Sequence, residues 1–594
     1  MNQRPFTDLA DVFQRSVATF PNANLFGTKT DGRWQWITYG DFGKRVDDFR
    51  GGLAQLGVGA SDTVAVIATN RVEWALAAHA AYGLGARFCP MYENQLEKDW
   101  RYIIEDSGAK IVLAATYAIF ETIRDWAGEV GNVEKVFCMA LPEEDESSFR
   151  AIERLGREHP AEIVEIDPEM VCGFIYTSGT TGKPKGVLLT HANICSNINA
   201  VSDSFPFDGS DVSVSFLPWA HSFGQTCELH CLFSRGAAIA IAESIEKLVD
   251  NFAEVKPTVL FSVPRIFNRI YDGLLKKVAE GSAVQKFMFE AAFSNAKKKR
   301  ALEAEGKSSA LVNLKHAVLD RLVFSKVRAR FGGRLRYAFS GGAALSPEVG
   351  EFIDTLGIMV YEGYGLTETS PIATANRPGE RRLGSVGRPL PEVDILIDTS
   401  VVDDPDSTDG EIVVRGPNVM KGYHNLPEET ASVIGDDGAF RTGDLGRLDA
   451  DGYLWITGRI KEQYKLENGK YVAPAPLEEL LQLSPFVSQA FLHGFNKPFN
   501  VALLVPDRVA FEKWAGEQGL SGYEELFDHP KVEALFQQQI EETSRDFKSY
   551  ERPRKFRLIA EEFSIDNGML TPKMSLKRNV VMDRYGDLLE ELHD

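Results

Sequence analysis

Val171-Cys172-Gly173-Phe174-Ile175-Tyr176-Thr177-Ser178-Gly179-Thr180-Thr181-Gly182-Lys183-Pro184-Lys185-Gly186 joins an apolar run to a loop rich in glycine, hydroxyls and positive charge. The run Met170–Tyr176 predicts a buried strand. Glycine lets a loop backbone take positive φ and turn its N–H groups toward an anion, hydroxyls add donors or a metal ligand, and lysines add charge. Read alone, a Gly/Ser/Thr run is a flexible turn. The ordered alternation of small, hydroxylic and cationic residues directly after a strand favours a phosphate cradle. It is not a Walker A loop, because Pro184 stands where a glycine would have to precede Lys185.

Around this segment, β-like runs alternate with helical ones. Thr63–Ala68, Ala109–Ala114, Val136–Ala140 and Leu335–Phe339 read as strands, and Glu73–Leu84 and Lys98–Asp106 as helices. That alternation predicts an α/β fold with parallel sheets flanked by helices. Segment 280–315 lacks strong β formers and reads as one or two exposed helices; its run Lys297-Lys298-Lys299-Arg300 reads as a solvated helix face rather than a membrane or CoA contact. From Glu411 the pattern changes to short strands such as Glu411–Arg415 and Tyr453–Thr457, with Asp437-Gly438 and Asp451-Gly452 as hairpin turns. A charged stretch after Arg459 then opens a smaller α+β pattern. Two domains follow, a large one over 1–459 and a small one over 460–594, as a chain of 594 residues requires more than one core.

The net charge of −20 argues against nucleic acid as the main partner. Six cysteines, none in a C-x-x-C pair, read as buried thiols of a reducing compartment. The polar stretch Met1–Leu9 has no signal-peptide core, and no window is apolar enough to span a bilayer. The expected location is cytoplasmic, with peripheral contact at the inner membrane face left open.

Further segments carry chemistry. Tyr361-Glu362-Gly363-Tyr364-Gly365-Leu366-Thr367-Glu368 pairs flat aromatic faces with glycines that allow close approach, and Glu368 is a hard oxygen ligand suited to Mg²⁺. The same residues could simply be a turn packed by two tyrosines. Ser340-Gly341-Gly342-Ala343 leaves room for a ligand after a strand. Arg441-Thr442-Gly443-Asp444 offers an acceptor for paired sugar hydroxyls. Leu217-Pro218-Trp219-Ala220-His221 holds a lone histidine, a residue that is more often structural than catalytic.

Together these segments resemble the adenylate-forming (AMP-binding) enzymes over nearly the whole chain. The insertion before Phe331 and the form Lys465–Pro474 resemble the long-chain fatty acyl-CoA synthetases in particular. The resemblance implies a large domain with a small β-barrel-like part and a mobile C-terminal domain. It implies ATP-dependent conversion of a fatty acid to acyl-AMP with loss of pyrophosphate, then transfer to CoA, with Mg²⁺ as cofactor. An alternative is an acyl-AMP ligase that passes another acid to a carrier protein, and the sequence does not separate the two acceptors.

Carried over residue by residue, the resemblance assigns Thr177, Ser178, Gly179, Thr180, Thr181, Gly182 and Lys185 to the phosphates. Gly341, Gly342, Ala343, Tyr361, Glu362, Gly363, Tyr364 and Thr367 surround adenine and phosphate, with Tyr364 as the stacking ring. Asp444 and Arg459 hold the ribose, Thr177 and Glu368 the metal, and His221 lies beside the carboxylate. Lys461 is the hinge, and Lys465 and Gly469 belong to a loop that meets CoA. Lys577 is the adenylation lysine, although Leu576 replaces the usual glycine before it and leaves Lys573 as the other register.

Overall fold

A computed structural model describes residues 4–177, 183–343, 345–402, 407–545, 547–571 and 574–593, without the side chains of 272, 276, 279 and 304. Two large sheets share one core. The first orders its strands Gly422–Tyr423, Lys185–Thr190, Val171–Thr177, Arg87–Met91, Thr63–Ile67, Ala109–Ala114 and Lys135–Cys138. The second has nine strands; Val259–Ser262, Tyr337–Ser340 and Val360–Gly365 run parallel beside one another in it. The helix Val72–Gly83 is buried at every position except Glu73, which fits its unbroken apolar sequence. Trp74 on this helix meets Trp219 from the second sheet's side at a ring distance of 5.7 Å. The six cysteines are all free and buried, and burial, aided by the Asp106 charge, pushes the Cys89 thiol up to about 12.

The strands and helices read from the sequence recur with ends shifted by one or two residues. Two features differ from that reading. Val171–Thr177 pairs antiparallel with Lys185–Thr190, Thr177 facing Lys185, so the glycine-rich segment closes a hairpin. A parallel crossover needs a dozen or more residues, which this connection lacks. Asp451-Gly452 does turn between paired strands, Phe440–Leu448 and Leu454–Arg459. Asp437-Gly438, in contrast, only reverses the chain after the helix Pro427–Val433, closed by the single bridge Ile434–Phe440. Segment 280–315 forms the helices Ala283–Ala304 and Ala310–Leu319, preceded by Pro264–Ala279.

The small β part is a four-stranded antiparallel sheet ordered Asp394–Asp398, Gly410–Arg415, Phe440–Leu448 and Leu454–Arg459. Beyond it, strands Val487–His493, Asn500–Pro506 and Pro553–Leu558 carry a separate core built around Leu477, Leu492, Leu504, Phe511 and Phe536. No helix among the described residues is long and apolar enough to cross a membrane.

Candidate active site

The strands Tyr337–Ser340 and Val360–Gly365 are parallel and buried, and ligands of such sheets gather beyond the carboxyl ends of the strands. Gly341-Gly342-Ala343 follows one of them. Gly342 sits at φ 84°, a backbone state that favours glycine, and a Cβ on Gly341 would come within 3.2 Å of the Phe223 ring. Tyr364 ends the other strand. Its hydroxyl donates to Asp444 Oδ2 at 2.7 Å, and Arg459 Nε donates to Asp444 Oδ1 at 2.6 Å. Burial, with the Asp444 charge second, pushes the Tyr364 phenol well above its ordinary value. The Asp444 charge does the same for the Arg459 guanidinium, against the opposing effect of burial. Asp444 is 4% exposed, and each of its oxygens keeps a second lone pair for a further hydroxyl.

A second group surrounds Glu368. Tyr423, from the strand paired with Lys185–Thr190, donates to Glu368 Oε1 at 3.0 Å. The Glu368 carbonyl accepts the Met420 N–H at 2.9 Å. Lys185 Nζ lies 5.2 Å from the centre of the Tyr423 ring and pairs with Glu429. Burial and the neighbouring Glu368 push the Tyr423 hydroxyl up, so it stays a donor. One aromatic ring therefore stands between Lys185 and the candidate metal carboxylate.

His221 forms the third part. The Phe223 N–H donates to its Nδ1 at 3.1 Å, so the network assigns the proton of a neutral ring to Nε2. The π-helical stretch Phe223–His230 follows, and the hydroxyls of Ser222 and Thr367 lie 3.3 Å apart. Glu228 in that stretch is held by the hydroxyls of Ser213 and Ser215, and burial pushes its carboxyl up to about 7.

The remaining predicted residues are placed differently. Tyr361 is 3% exposed and packs among Phe205, Tyr337 and Phe339, so its ring belongs to the core. Glu362 accepts the Gly384 N–H at 3.2 Å, and burial pushes it up to about 7. A Cβ on Gly363 would lie 3.2 Å from the Thr374 carbonyl across the strand pair. Ser178 to Gly182 and Lys573 lie outside the described residues.

Between the two cores, the Ile460 N–H bonds back to the Gly443 carbonyl at 2.9 Å, and Tyr464 is already buried in the small core. Lys461 is exposed in the turn between them. Lys465 Nζ lies over the Tyr471 ring at 4.7 Å, and Gly469 takes φ 84° at the intervening turn. Lys577 precedes the helix Arg578–Glu591, with its N–H on the Met569 carbonyl at 2.8 Å. Arg578 fixes that junction through two bonds to the buried Glu478, 2.8 and 3.0 Å long.

Residues 13–424 match the model of the AMP-binding enzyme family, and residues 461–594 that of the AMP-binding enzyme C-terminal domain. The chain belongs to the AMP-binding enzyme family. It is 32% identical over 98% of its length to a peroxisomal long chain acyl-CoA synthetase 6 of Arabidopsis thaliana, covering 86% of that protein. A long-chain-fatty-acid–CoA ligase of Mycobacterium bovis is 33% identical, with 97% of this chain and 95% of that one covered. The adenylation domain of a Mycobacterium chelonae carboxylate reductase superposes with a TM-score of 0.81 at 22% identity, over 100% of this chain and 92% of that domain.

Enzymes of the AMP-binding family use ATP with Mg²⁺. The residues present fit this ion. Among the described residues no three His, Cys, Asp or Glu side chains gather as a protein cage. Mg²⁺ takes one or two carboxylates and completes its shell with phosphate oxygens and water, and Glu368 beside the Thr177–Lys185 hairpin offers that kind of donor. Sequence reading missed Tyr423 and Glu429. Both stand in an unremarkable polar stretch, and only the pairing of Gly422–Tyr423 with the strand Lys185–Thr190 brings them to the site.

Proposed function

We propose that this AMP-binding enzyme is an AMP-forming fatty acid–CoA ligase for medium- to long-chain acids, with its large domain over 1–459 and a mobile domain over 460–594. The observation that carries the reading is a run of linked groups: Asp444, a hydroxyl acceptor, bonds Tyr364; Glu368, a metal carboxylate four residues on, bonds Tyr423; and Lys185, a phosphate cation, lies beside the same Tyr423 ring. The protein names of its relatives supply the class of acid.

A carboxylate is a poor acyl donor because its leaving group would be oxide. In the first step its oxygen bonds to the α-phosphorus of ATP and pyrophosphate leaves, giving a mixed anhydride whose leaving group is AMP. Asp444 and Arg459 hold the ribose, Tyr364 stacks against adenine, and Gly341 and Gly342 let the nucleotide approach the backbone. Thr177, Lys185 and Thr367 position the phosphates. Mg²⁺, when bound at Glu368, offsets phosphate charge. His221, presenting Nε2–H, orients the carboxylate. Lys577 reaches the reacting anions in one orientation of the small domain and offsets their repulsion, so the step relies on positioning and electrostatics. Rotation about Lys461 then withdraws Lys577 and brings the loop of Lys465 and Gly469 toward CoA. The CoA sulfur bonds to the acyl carbon, its proton is lost, and AMP leaves. Such an acid partitions into lipid, which supports peripheral contact at the inner membrane face by an enzyme of the cytoplasm.

A panel of acids from acetate to oleate, scored for pyrophosphate release with and without CoA, tests the reading. The expected result is release that rises with chain length and yields acyl-CoA when CoA is present. Release confined to acetate would contradict the choice of acid, and release without any thioester would point to a carrier-protein acceptor.

A further inference from the structure

The helical hairpin of residues 264–331 differs from the rest of the molecule in both charge and surface. It holds fifteen Lys and Arg against six Asp and Glu, a surplus of nine positive charges in a chain whose total is −20. Its inner face is apolar and buried: Phe267, Ala292, Ala296 and Phe324 share a core with Leu345, Val349 and Ile353, which follow the Gly341–Ala343 loop in the chain. Its outer face is apolar too. Leu311, Leu314 and Val318 are 76%, 68% and 53% exposed, and Leu322 continues the series at 45%. Their spacing of three, four and four residues puts them on one side of a helix. On the neighbouring helix Phe287 is 71% exposed.

An aromatic and four aliphatic side chains in water on one hairpin are unusual for a solvated helix pair. Basic residues accompany them: Lys286 precedes Phe287, Lys315 follows Leu314, and Arg321 precedes Leu322, all three exposed. The run Lys297–Arg300 is a separate feature. Lys297 and Arg300 lie 3.9 and 3.5 Å from Glu351 and Asp354 on the large domain, and Lys299 pairs within its own helix, as a solvated face does.

We infer that this outer face is a docking surface for an anionic lipid bilayer. Apolar side chains flanked by Lys and Arg match the acyl boundary and the phosphate headgroups of such a surface together. The acidic remainder of the chain is repelled by the same headgroups, so only the hairpin is drawn to them and the orientation is fixed. The inner face of the same hairpin shares a core with Leu345, Val349 and Ile353, so docking ties to the lipid the part of the large domain that continues from the Gly341–Ala343 loop. This deepens the fatty-acid reading above and rests on it for its purpose, although its test does not require catalysis.

Sedimentation of the full-length protein with phosphatidylcholine vesicles, with and without phosphatidylglycerol, tests the inference. Binding is expected on the phosphatidylglycerol vesicles, weakening as salt rises. Leu314→Glu with Val318→Glu should lower partitioning more than about tenfold. Replacing Lys315 and Arg321 by Gln should lower it about fivefold per residue. Melting temperature and the turnover of octanoate without vesicles should be unchanged, since all four side chains are exposed. Absence of vesicle binding, or equal binding by the Glu variant, would overturn the inference. So would light scattering that shows a wild-type dimer broken by the same substitutions, since the face would then belong to a second copy. Vesicle binding by a protein that releases no pyrophosphate with any acid would uphold the docking surface and sink the fatty-acid reading instead.

Discussion

The nucleotide side of the site and the lysine side are held in opposite ways. Asp444 is buried with both oxygens bonded, and Glu368 is fixed by Tyr423 and by its own carbonyl. Asp444 lies within the strand Phe440–Leu448, and Glu368 in the turn Thr367–Thr369 that follows Val360–Gly365. Lys577 instead stands on the small domain, joined to the large one through the exposed turn at Lys461. Groups set during folding can stabilise charge without reorganising at the moment of reaction. A group on a separate core can be brought in for one step and removed for the next. On the function proposed above, the first set binds in both half-reactions and the second selects between them.

The strongest way to break this contrast is to stop the turn. Proline fixes φ and removes an N–H, so Lys461→Pro should trap one orientation and lower thioester formation by about 10³-fold while adenylate still forms. Acyl-CoA production at the normal rate would show that the pivot is elsewhere. On the fixed side, Glu368→Gln keeps size and removes charge. Adenylation should fall by about 10²–10³-fold, with a raised Mg²⁺ requirement. An unchanged Mg²⁺ titration would leave Glu368 a structural residue.

Tyr423→Phe sharpens the same comparison by deleting a single bond to Glu368. We expect a loss of about tenfold in adenylation with little change in stability, since one hydrogen bond contributes about 1 kcal/mol. Full activity would reduce Tyr423 to packing.

The smallest effect concerns stability. The Glu228 carboxyl is raised from 4.5 to about 7, so between these values the folded state binds more protons than the unfolded one. Stability should therefore fall as pH rises through that window, by at most about 3 kcal/mol from this residue. Glu228→Gln should flatten the decline in melting temperature. A variant whose pH profile overlays that of the wild type would show that Glu228 titrates normally.

The site was legible in the sequence where its chemistry is local. Tyr364 to Glu368 sit within five residues of one another, and Arg441 to Asp444 within four, so residue type and order describe them completely. Contacts between distant segments were not. Tyr423 meets Glu368 across 55 residues and Lys185 meets Glu429 across 244, and neither pair leaves a local pattern. Tyr361 shows the reverse problem. In a sequence it is as good an aromatic face as Tyr364, and only the alternation of the strand sends its ring into the core. The antiparallel hairpin around the glycine-rich segment followed from connection length, a constraint that the strand patterns on either side do not express.

Lys577 is expected to serve one half-reaction and the sheet-borne residues both. Lys577→Ala should be assayed for pyrophosphate release from fatty acid and ATP, and separately for acyl-CoA formation from supplied acyl-AMP. The account predicts that the first is lost and the second retained. Equal loss of both would contradict the division of labour, and unimpaired pyrophosphate release would remove Lys577 from the chemistry and turn attention to Lys573.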